Sequence, residues 1–440
     1  MNRRGIFCGV AGLLGFACLG MAICTMENVV ADAQESNSPP TTADLSPVTN
    51  DARTTADALE SHEAISVALN RRGTWDFAEV PLNDVIAFVG STSNIDTVID
   101  FRALVDMGIP SDAPITCHQK DISLRSFLRI VLGELGLTHE IHNGALWITT
   151  REEAEANMSV RTYAVGDLIR MGVEFGEPAY GCDSLMELIM GFLEPDSWDQ
   201  LGGPGAIDAI YGTLVVSHVG EIHERLAQFL AAYRQVIRQH KENPDGLGLP
   251  IFVDDSPART RITAALESQV TLELEDVPLS EATQFLAKTA GIPIVIDTTA
   301  LDELGIPTDV PVTARINQVP LRFALHWLLD PHQLTWTVRN EVLSITSFEV
   351  SETHLLTCIY PVSSLVAPHA DSQPEEYDFD TLIGVLEGTV QPDSWDDVGG
   401  PSSIGVIESP ASLVISQTES VHVKLRVLLR KLHRARQLEL

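Results

Sequence analysis

Pro195-Asp196-Ser197-Trp198-Asp199-Gln200-Leu201-Gly202-Gly203-Pro204 returns 197 residues later as Pro392-Asp393-Ser394-Trp395-Asp396-Asp397-Val398-Gly399-Gly400-Pro401. The same offset holds far upstream. Val80-Pro81-Leu82 matches Val277-Pro278-Leu279, Val98-Ile99-Asp100 matches Val295-Ile296-Asp297, Gly108-Ile109-Pro110 matches Gly305-Ile306-Pro307, and Leu124-Arg125 matches Leu321-Arg322. Downstream the offset becomes 199: Leu214-Val215-Val216-Ser217 matches Leu413-Val414-Ile415-Ser416, and His223 matches His422. A two-residue insertion between Val406 and Pro410 accounts for the change. So many matches at one spacing mean a tandem duplication, and positions kept in both copies show what the repeated unit needs.

Each copy divides in two. The first half reads as a short helix (about Glu63 to Asn70, again Arg261 to Ser268), then a strand from Thr74 to Val80. Pro81 suits the first turn of the next helix, where a missing N–H is no loss. Leu82, Val85, Ile86 and Val89 form its apolar stripe. Strands are expected at Thr97–Asp100 and Pro114–Gln119, then a strongly periodic helix carrying Leu124, Phe127, Leu128, Val131, Leu132 and Leu135. Its counterpart keeps Leu321, Ala324, Leu325, Leu328 and Leu329, and Pro331 must end it sooner. Strands at Thr138–His142 and Ala145–Thr149 flank Asn143-Gly144, a strong hairpin signal. The second copy has Asn340-Glu341 there, so a different turn type is expected.

The second half reads strand (Ser159–Val165), helix, two strands (Ala206–Ile210, Thr213–His218) and a closing helix with Ile222, Leu226, Phe229, Leu230 and Tyr233. Asp183 and Asp380 are the expected helix caps. The fold class is therefore α+β: a tandem repeat of two small domains, βαββαββ-like then βαββα-like, each a sheet with helices on one face. The four domains span 58–152, 158–238, 255–349 and 355–437, with 239–254 as a linker rich in Lys, Asn, Pro, Asp and Gly.

Ahead of the repeat, Arg3 and Arg4 precede an apolar stretch from Gly5 to Cys24, and Ala31-Asp32-Ala33 offers small residues at the positions a signal peptidase reads. Residues 1–33 are expected to be an export signal cut before Gln34, with a retained membrane anchor as the rival. Residues 34–57, rich in Ser, Thr, Pro, Asn and Asp, read as a disordered tether. No other apolar run is long enough to span a bilayer, so the chain after the signal is expected in the periplasm or outside the cell. Lys and Arg number 28 against 61 Asp and Glu, a net charge of −33. That surface repels phosphate backbones, so nucleic acid is not an expected partner. Cys117, Cys182 and Cys358 remain after the signal. They form neither a disulfide framework nor a metal-site spacing, and isolated buried thiols are expected.

Two readings compete for the duplicated loops. As interaction loops, Trp198 or Trp395 would offer a flat apolar face, with Asp196 and Asp199, or Asp393 and Asp396, as carboxylates for a sugar or a cation. As architecture, Gly202-Gly203 and Gly399-Gly400 permit unusual backbone angles, and each Trp packs over its sheet while its N–H meets a carbonyl. Architecture is the favoured reading, and the aspartate spacing is not that of a calcium loop. His223 and His422 have no ligand partners at metal-site spacing, so a surface or helix-start role is expected. Asp100 and Asp297 read as turn residues. The basic face of the last helix (Lys424, Arg426, Arg430, Lys431, Arg434, Arg436) is expected to be solvated. No G-x-S-x-G, H-E-x-x-H, Walker or dinucleotide motif occurs, so no catalytic, metal-ligating or cofactor-binding residue is assigned, and no enzyme is expected.

The first half, with Val-Pro-Leu opening a helix, a strand ending in Val-Ile-Asp, Ser-Leu-Arg opening a second helix and a hairpin closing on Trp147-Ile148-Thr149, resembles the short N-terminal domain shared by secretins and some TonB-dependent receptors. The second half, with Leu-Val-Val-Ser before Glu221-Ile222-His223, resembles the KH-like N-domains that follow it in secretins. The secretin pore domain, and the plug and barrel of the receptors, have no counterpart in these residues. The resemblance implies a role in which such domains stack with one another or dock on an envelope protein, with neither pore nor enzyme. The competing expectation is a carbohydrate- or cell-wall-binding protein using the two Trp loops.

Overall fold

The computed structural model describes residues 50–169, 180–244, 246–254, 256–367 and 377–439. The expected signal segment, with Cys8, Cys18 and Cys24, lies outside the described residues.

Copy one opens with α1 (Asn50–Leu69), β1 (Arg72–Pro81), α2 (Leu82–Ser93), β2 (Thr97–Ile99), α3 (Phe101–Asp106), β3 (Pro114–Ser123), α4 (Leu124–Gly133), β4 (Leu137–His142), β5 (Ala145–Thr150) and α5 (Arg151–Ala156). Its second half comprises β6 (Ser159–Ala164), α6 (Gly166–Ile169), α7 (Tyr180–Phe192), β7 (Ala206–Ile210), β8 (Thr213–His218) and α8 (Gly220–Glu242). After β9 (Ile251–Phe252), copy two repeats the order as α9 (Pro257–Leu266), β10 (Gln269–Pro278), α10 (Leu279–Ala290), β11 (Ile294–Ile296), α11 (Thr298–Glu303), β12 (Pro311–Pro320), α12 (Leu321–Leu329), β13 (Leu334–Arg339), β14 (Val342–Ser347) and α13 (Phe348–Thr353). It closes with β15 (Leu356–Pro361), α14 (Ser363–Val366), α15 (Phe379–Thr389), β16 (Ser403–Ile407), β17 (Ser412–Gln417) and α16 (Glu419–Glu439). These are small α+β domains in tandem, as the pattern predicts.

In each first half the helices lie between a two-stranded antiparallel ribbon (β1-β3, β10-β12) and a three-stranded sheet (β2-β5-β4, β11-β14-β13) whose first strand is parallel to the second. The apolar stripes read from the sequence are the buried ones: Leu82, Val85, Ile86 and Val89 on α2, and Leu124, Phe127, Leu128, Val131 and Leu132 on α4. Asp100 and Asp297 cap α3 and α11, each side chain accepting the N–H two residues inside the helix start, from Ala103 and Ala300.

Several expectations need correction. Residues 50–57, read as tether, are helical. Pro47 is the last proline before Pro81 and no glycine lies between Gly20 and Gly73, so nothing in residues 50–57 stops α1 growing backwards. The linker is not free either. Residues 239–242 belong to α8, and Ile251-Phe252 adds as an edge strand to β15. Asp183 sits inside α7 rather than ahead of it, and α15 is capped by Asp378 through Thr381 N, not by Asp380. Both hairpin tips have left-handed residues at both central positions, Asn143 and Gly144 in one copy, Asn340 and Glu341 in the other. The turn types therefore agree, and Glu341 at φ 60° occupies a position that favours glycine. Its carboxylate compensates by reaching back to copy one, where it accepts from Arg72 (2.9 Å) and from Ser123 N (3.2 Å).

The largest departure concerns coverage of the sheets. Along β8 buried and half-buried positions alternate, and along β6 half-buried and exposed ones, as expected of a sheet with helices on one face. Every residue of β17 is buried. On one face of that sheet Tyr360, Leu413 and Ile415 join Trp395 and Leu425 of their own domain. On the other face Ile359, Val414 and Ile407 share an apolar cluster with Ile189, Phe192, Tyr233 and Val236, from the helices of copy one. A Cβ on Gly405 of β16 would stand 2.8 Å from Phe192 Cε2, so glycine admits that ring. The two-residue insertion sits in the β16–β17 loop, where Ser409 O accepts from Tyr233 Oη of α8 at 3.0 Å.

The first halves stack the same way. Ile130 of α4 lies in one cluster with Val295 and Val342 on the outer face of sheet β11-β14-β13. Arg261 of α9 pairs with Asp121 at the end of β3. In both halves, then, the helix side of copy one covers the sheet side of copy two.

Candidate functional site

Each duplicated loop begins where a helix ends. Leu193, just past α7, and Val390, just past α15, leave carbonyls without a helical partner. The Trp198 and Trp395 Nε1–H groups donate to them at 2.8 and 2.9 Å. Both indoles are fully buried and belong to the core clusters. The loop closes by Gly203 N to Trp198 O (2.9 Å) and Gly400 N to Trp395 O (2.8 Å). Gly202 and Gly399 hold φ of 92° and 87°, and a Cβ on Gly203 or Gly400 would lie 2.2 Å from the carbonyl carbon of Ser197 or Ser394. Asp196, Asp199, Asp393 and Asp396 are exposed. The loop thus separates its candidates: the indoles point inward, the carboxylates outward, and neither presents a flat face flanked by acids.

Two further constellations repeat and were not picked out from the sequence. His218 Nδ1 accepts from Val219 N (2.9 Å), so Nε2 carries the proton and donates to Ser197 Oγ (3.0 Å). Copy two has Gln417 there: Oε1 accepts from Thr418 N (2.8 Å) and Nε2 donates to Ser394 Oγ (2.6 Å). An amide replaces an imidazole with the same donor and acceptor, which identity matching cannot find. The ring also forces Gly205, since a Cβ there would lie 2.3 Å from His218 Cδ2, whereas Gln417 leaves room for Ser402.

His223 and His422 stand in the first turns of α8 and α16, the helix-start place expected of them, but they are buried and not on the surface. Tyr163 Oη meets His223 Nδ1 at 2.8 Å, and His223 Nε2 meets Ser159 O at 2.8 Å. Tyr360, His422 and Leu356 O repeat this at 2.9 and 2.7 Å. A carbonyl only accepts, so Nε2 carries the proton and the tyrosine hydroxyl donates to Nδ1. Tyr163 and Tyr360 stand at the offset of 197, the signal that could have revealed the pair. Burial is the main cause that lowers His223 to about 4 and His422 to about 3. Both rings are therefore neutral ties between the first strand and the last helix of their domains.

The pH consequence follows from these directions. A histidine depressed in the folded state must be protonated on unfolding, so stability present above about 6.5 is lost as pH falls toward 3. Glu140 works the other way. Its carboxylate accepts from Gly220 N at the start of α8 (3.0 Å), and burial, the largest influence, raises it to about 7. That contribution is present below about 4.5 and lost as pH rises through 7. We expect His422→Gln to flatten the acid limb of a urea-midpoint profile and Glu140→Gln to flatten the limb between about 4.5 and 7. Unchanged profiles in both variants would contradict these assignments.

All four domains line one cavity of about 710 Å³. Its lining mixes arginines and carboxylates, and each arginine has an acidic partner: Arg125 and Arg129 share Glu224, Arg225 meets Glu194 (2.7 Å), Arg339 meets Asp297 (2.8 Å) and Arg259 meets Glu419. Arg125 is depressed to about 10 by burial and then by Arg129 and Arg161. The arrangement is a junction of paired ions between domains. Among the described residues no group of three or more His, Cys, Asp or Glu is placed to hold a metal ion. Cys117 and Cys358 are buried and Cys182 half-buried, all three free. Burial pushes the Cys117 thiol up to about 12, which disfavours the thiolate.

No family model matches the chain, and no curated protein sequence matches it. Among solved structures it is similar to a chain in the crystal structure of the enterotoxigenic Escherichia coli GspC-GspD complex from the type II secretion system, with 12% identity over 37% of this chain and 97% of that chain and a TM-score of 0.14. It is also similar to the structure of XcpQN012, with 12% identity over 50% of this chain and 81% of that chain and a TM-score of 0.15.

Proposed function

We propose that the protein is an exported, non-enzymatic association unit of the cell envelope, which works by presenting stacked domain faces to a protein partner. The observation that carries this reading is the mode of packing between its own copies. The helix side of each copy-one domain is seated on the sheet side of its copy-two counterpart. A unit that already binds its own duplicate through these faces is built for protein contact, and what the copies share is core, turns and buried ties. The candidate chemistry is consumed by structure: indoles buried, histidines locked between hydroxyl and carbonyl, cavity arginines paired. No described helix is long and apolar enough to cross a membrane. The carbohydrate reading needs an exposed indole in each loop, and neither loop has one.

Photo-cross-linking in intact cells tests the proposal. A cross-linker placed at Val160 or Ile210 on the sheet side, or at Val385 or Val427 on the helix side, all exposed, is expected to give discrete protein adducts. Absence of adducts at all four positions, with the chain present at normal level, would contradict it.

A further inference from the structure

Each domain has a helix side and a sheet side, and the contact within the chain consumes one of each. The sheet side of copy one and the helix side of copy two are left over. In a stack that ends at two copies these outer faces should be more polar than their inner counterparts. In the first-half domains they are more apolar. Ser126 and Ile130 of α4 correspond to Phe323 and Trp327 of α12, which are 45% and 54% exposed. On the opposite end, Thr298 and Asp302 of α11, which flank the seated sheet face, correspond to Phe101 and Val105 of α3, 58% and 74% exposed. Beside them, half-buried Trp147 stands on the outer sheet face where copy two has Ser344. Large exposed apolar side chains thus stand at both ends: Trp327 and Trp147 occupy the positions of Ile130 and Ser344, which line one cleft of the internal contact, and Phe323, Phe101 and Val105 lie on the same elements beside them. Patches of this kind mark interaction sites.

The second-half domains add charge. Ala231, Ala232 and Gln235 of α8 correspond to Arg430, Lys431 and Arg434 of α16, and the sheet face that α16 would meet carries exposed Asp208. Three exposed cations thus gather at one end of a chain of net charge −33, and Asp208 at the opposite end is a carboxylate of the complementary sign.

We propose that the partner is a second copy of this chain, docked head to tail so that Phe323 and Trp327 of one molecule meet Phe101, Val105 and Trp147 of the next. This rests on the association reading above and names its partner. The contact is heterologous: each molecule keeps one unused face of each kind, so assembly continues beyond a dimer.

Sedimentation velocity on the full chain tests this with two single variants and their mixture. Trp327→Glu removes the helix-side face and Val105→Glu the sheet-side face, both at exposed positions where melting temperature should hold. The unmodified chain is expected to grow in size with concentration, Trp327→Glu to raise the apparent Kd by about tenfold or more, the loss typical of a central aromatic contact, and Val105→Glu to raise it by placing a charge against the apolar face. Mixed, the variants should form a one-to-one pair and stop, because the first retains a good sheet side and the second a good helix side. An unmodified chain that stays monomeric, a variant that associates like the unmodified chain, or a mixture that does not pair would overturn the proposal. If the chain is monomeric yet gives envelope adducts in the cross-linking test, the association reading stands and the self-partner falls. If neither occurs, both fall.

Discussion

Replacing Trp198 or Trp395 by alanine is expected to lower the free energy of unfolding by about 3–5 kcal/mol at either position. Each indole fills a core cluster that cannot readily collapse around the void, because the flanking glycine pair holds the loop so close to backbone that an added Cβ would stand 2.2 Å from it. Each substitution also strands the carbonyl at a helix end, Leu193 O or Val390 O, that the indole N–H had satisfied. The two sites should differ in reach. Trp198 shares its cluster with Ile359 and Val414 of copy two, while Trp395 lies in a cluster confined to its own domain and β9. Trp198→Ala should therefore also loosen the contact between copies. Urea denaturation followed by circular dichroism measures both losses, and a loss below about 1 kcal/mol would show that the loop is not held by its indole.

Breaking the Arg259–Glu419 pair should cost as much. Arg259 is 4% exposed, donates to Val338 O as well as to Glu419, and stacks its guanidinium 4.7 Å from the centre of the Phe252 ring. Arg426 approaches the same carboxylate at 3.7 Å. Removing Arg259 leaves the buried Glu419 carboxylate with only the longer contact to Arg426, and breaking a buried pair of this kind costs about 3–5 kcal/mol, whereas replacing both members by apolar groups of similar volume is often neutral. Arg259→Met is expected to be strongly destabilising, and Arg259→Met with Glu419→Leu to recover most of the loss. If the double variant is no better than the single, the pair is not the unit that matters.

The duplication, the stripes on α2 and α4 and the loop glycines were legible because burial and positive φ restrict residue type, so identity survives in both copies. Other features are kept in geometry while identity drifts. Glu79 and Asp276, and Asp121 and Gln318, hold the same left-handed bulge positions in the two ribbons with different side chains. His218 and Gln417 do the same work with different groups. The burial of His223 and His422 depends on tyrosines some 60 residues away in sequence, and a reading by motif spacing does not reach that far. The covering of β17 on both faces was hidden for another reason. Leu214-Val215-Val216-Ser217 and Leu413-Val414-Ile415-Ser416 are nearly the same string, and only the neighbouring copy decides whether the outer residues meet water.

The claim beneath the functional reading is that the two copies form one body, the helices of the first closing the sheets of the second. Native-state hydrogen exchange resolved by segment tests it most directly. Strands β15 and β17 are expected to open only together with α7 and α8, at one common free energy, because Ile359 and Val414 cannot be exposed without parting from Phe192 and Val236. Exchange of β15 and β17 through a separate, easier opening, with α7 and α8 still protected, would contradict the account.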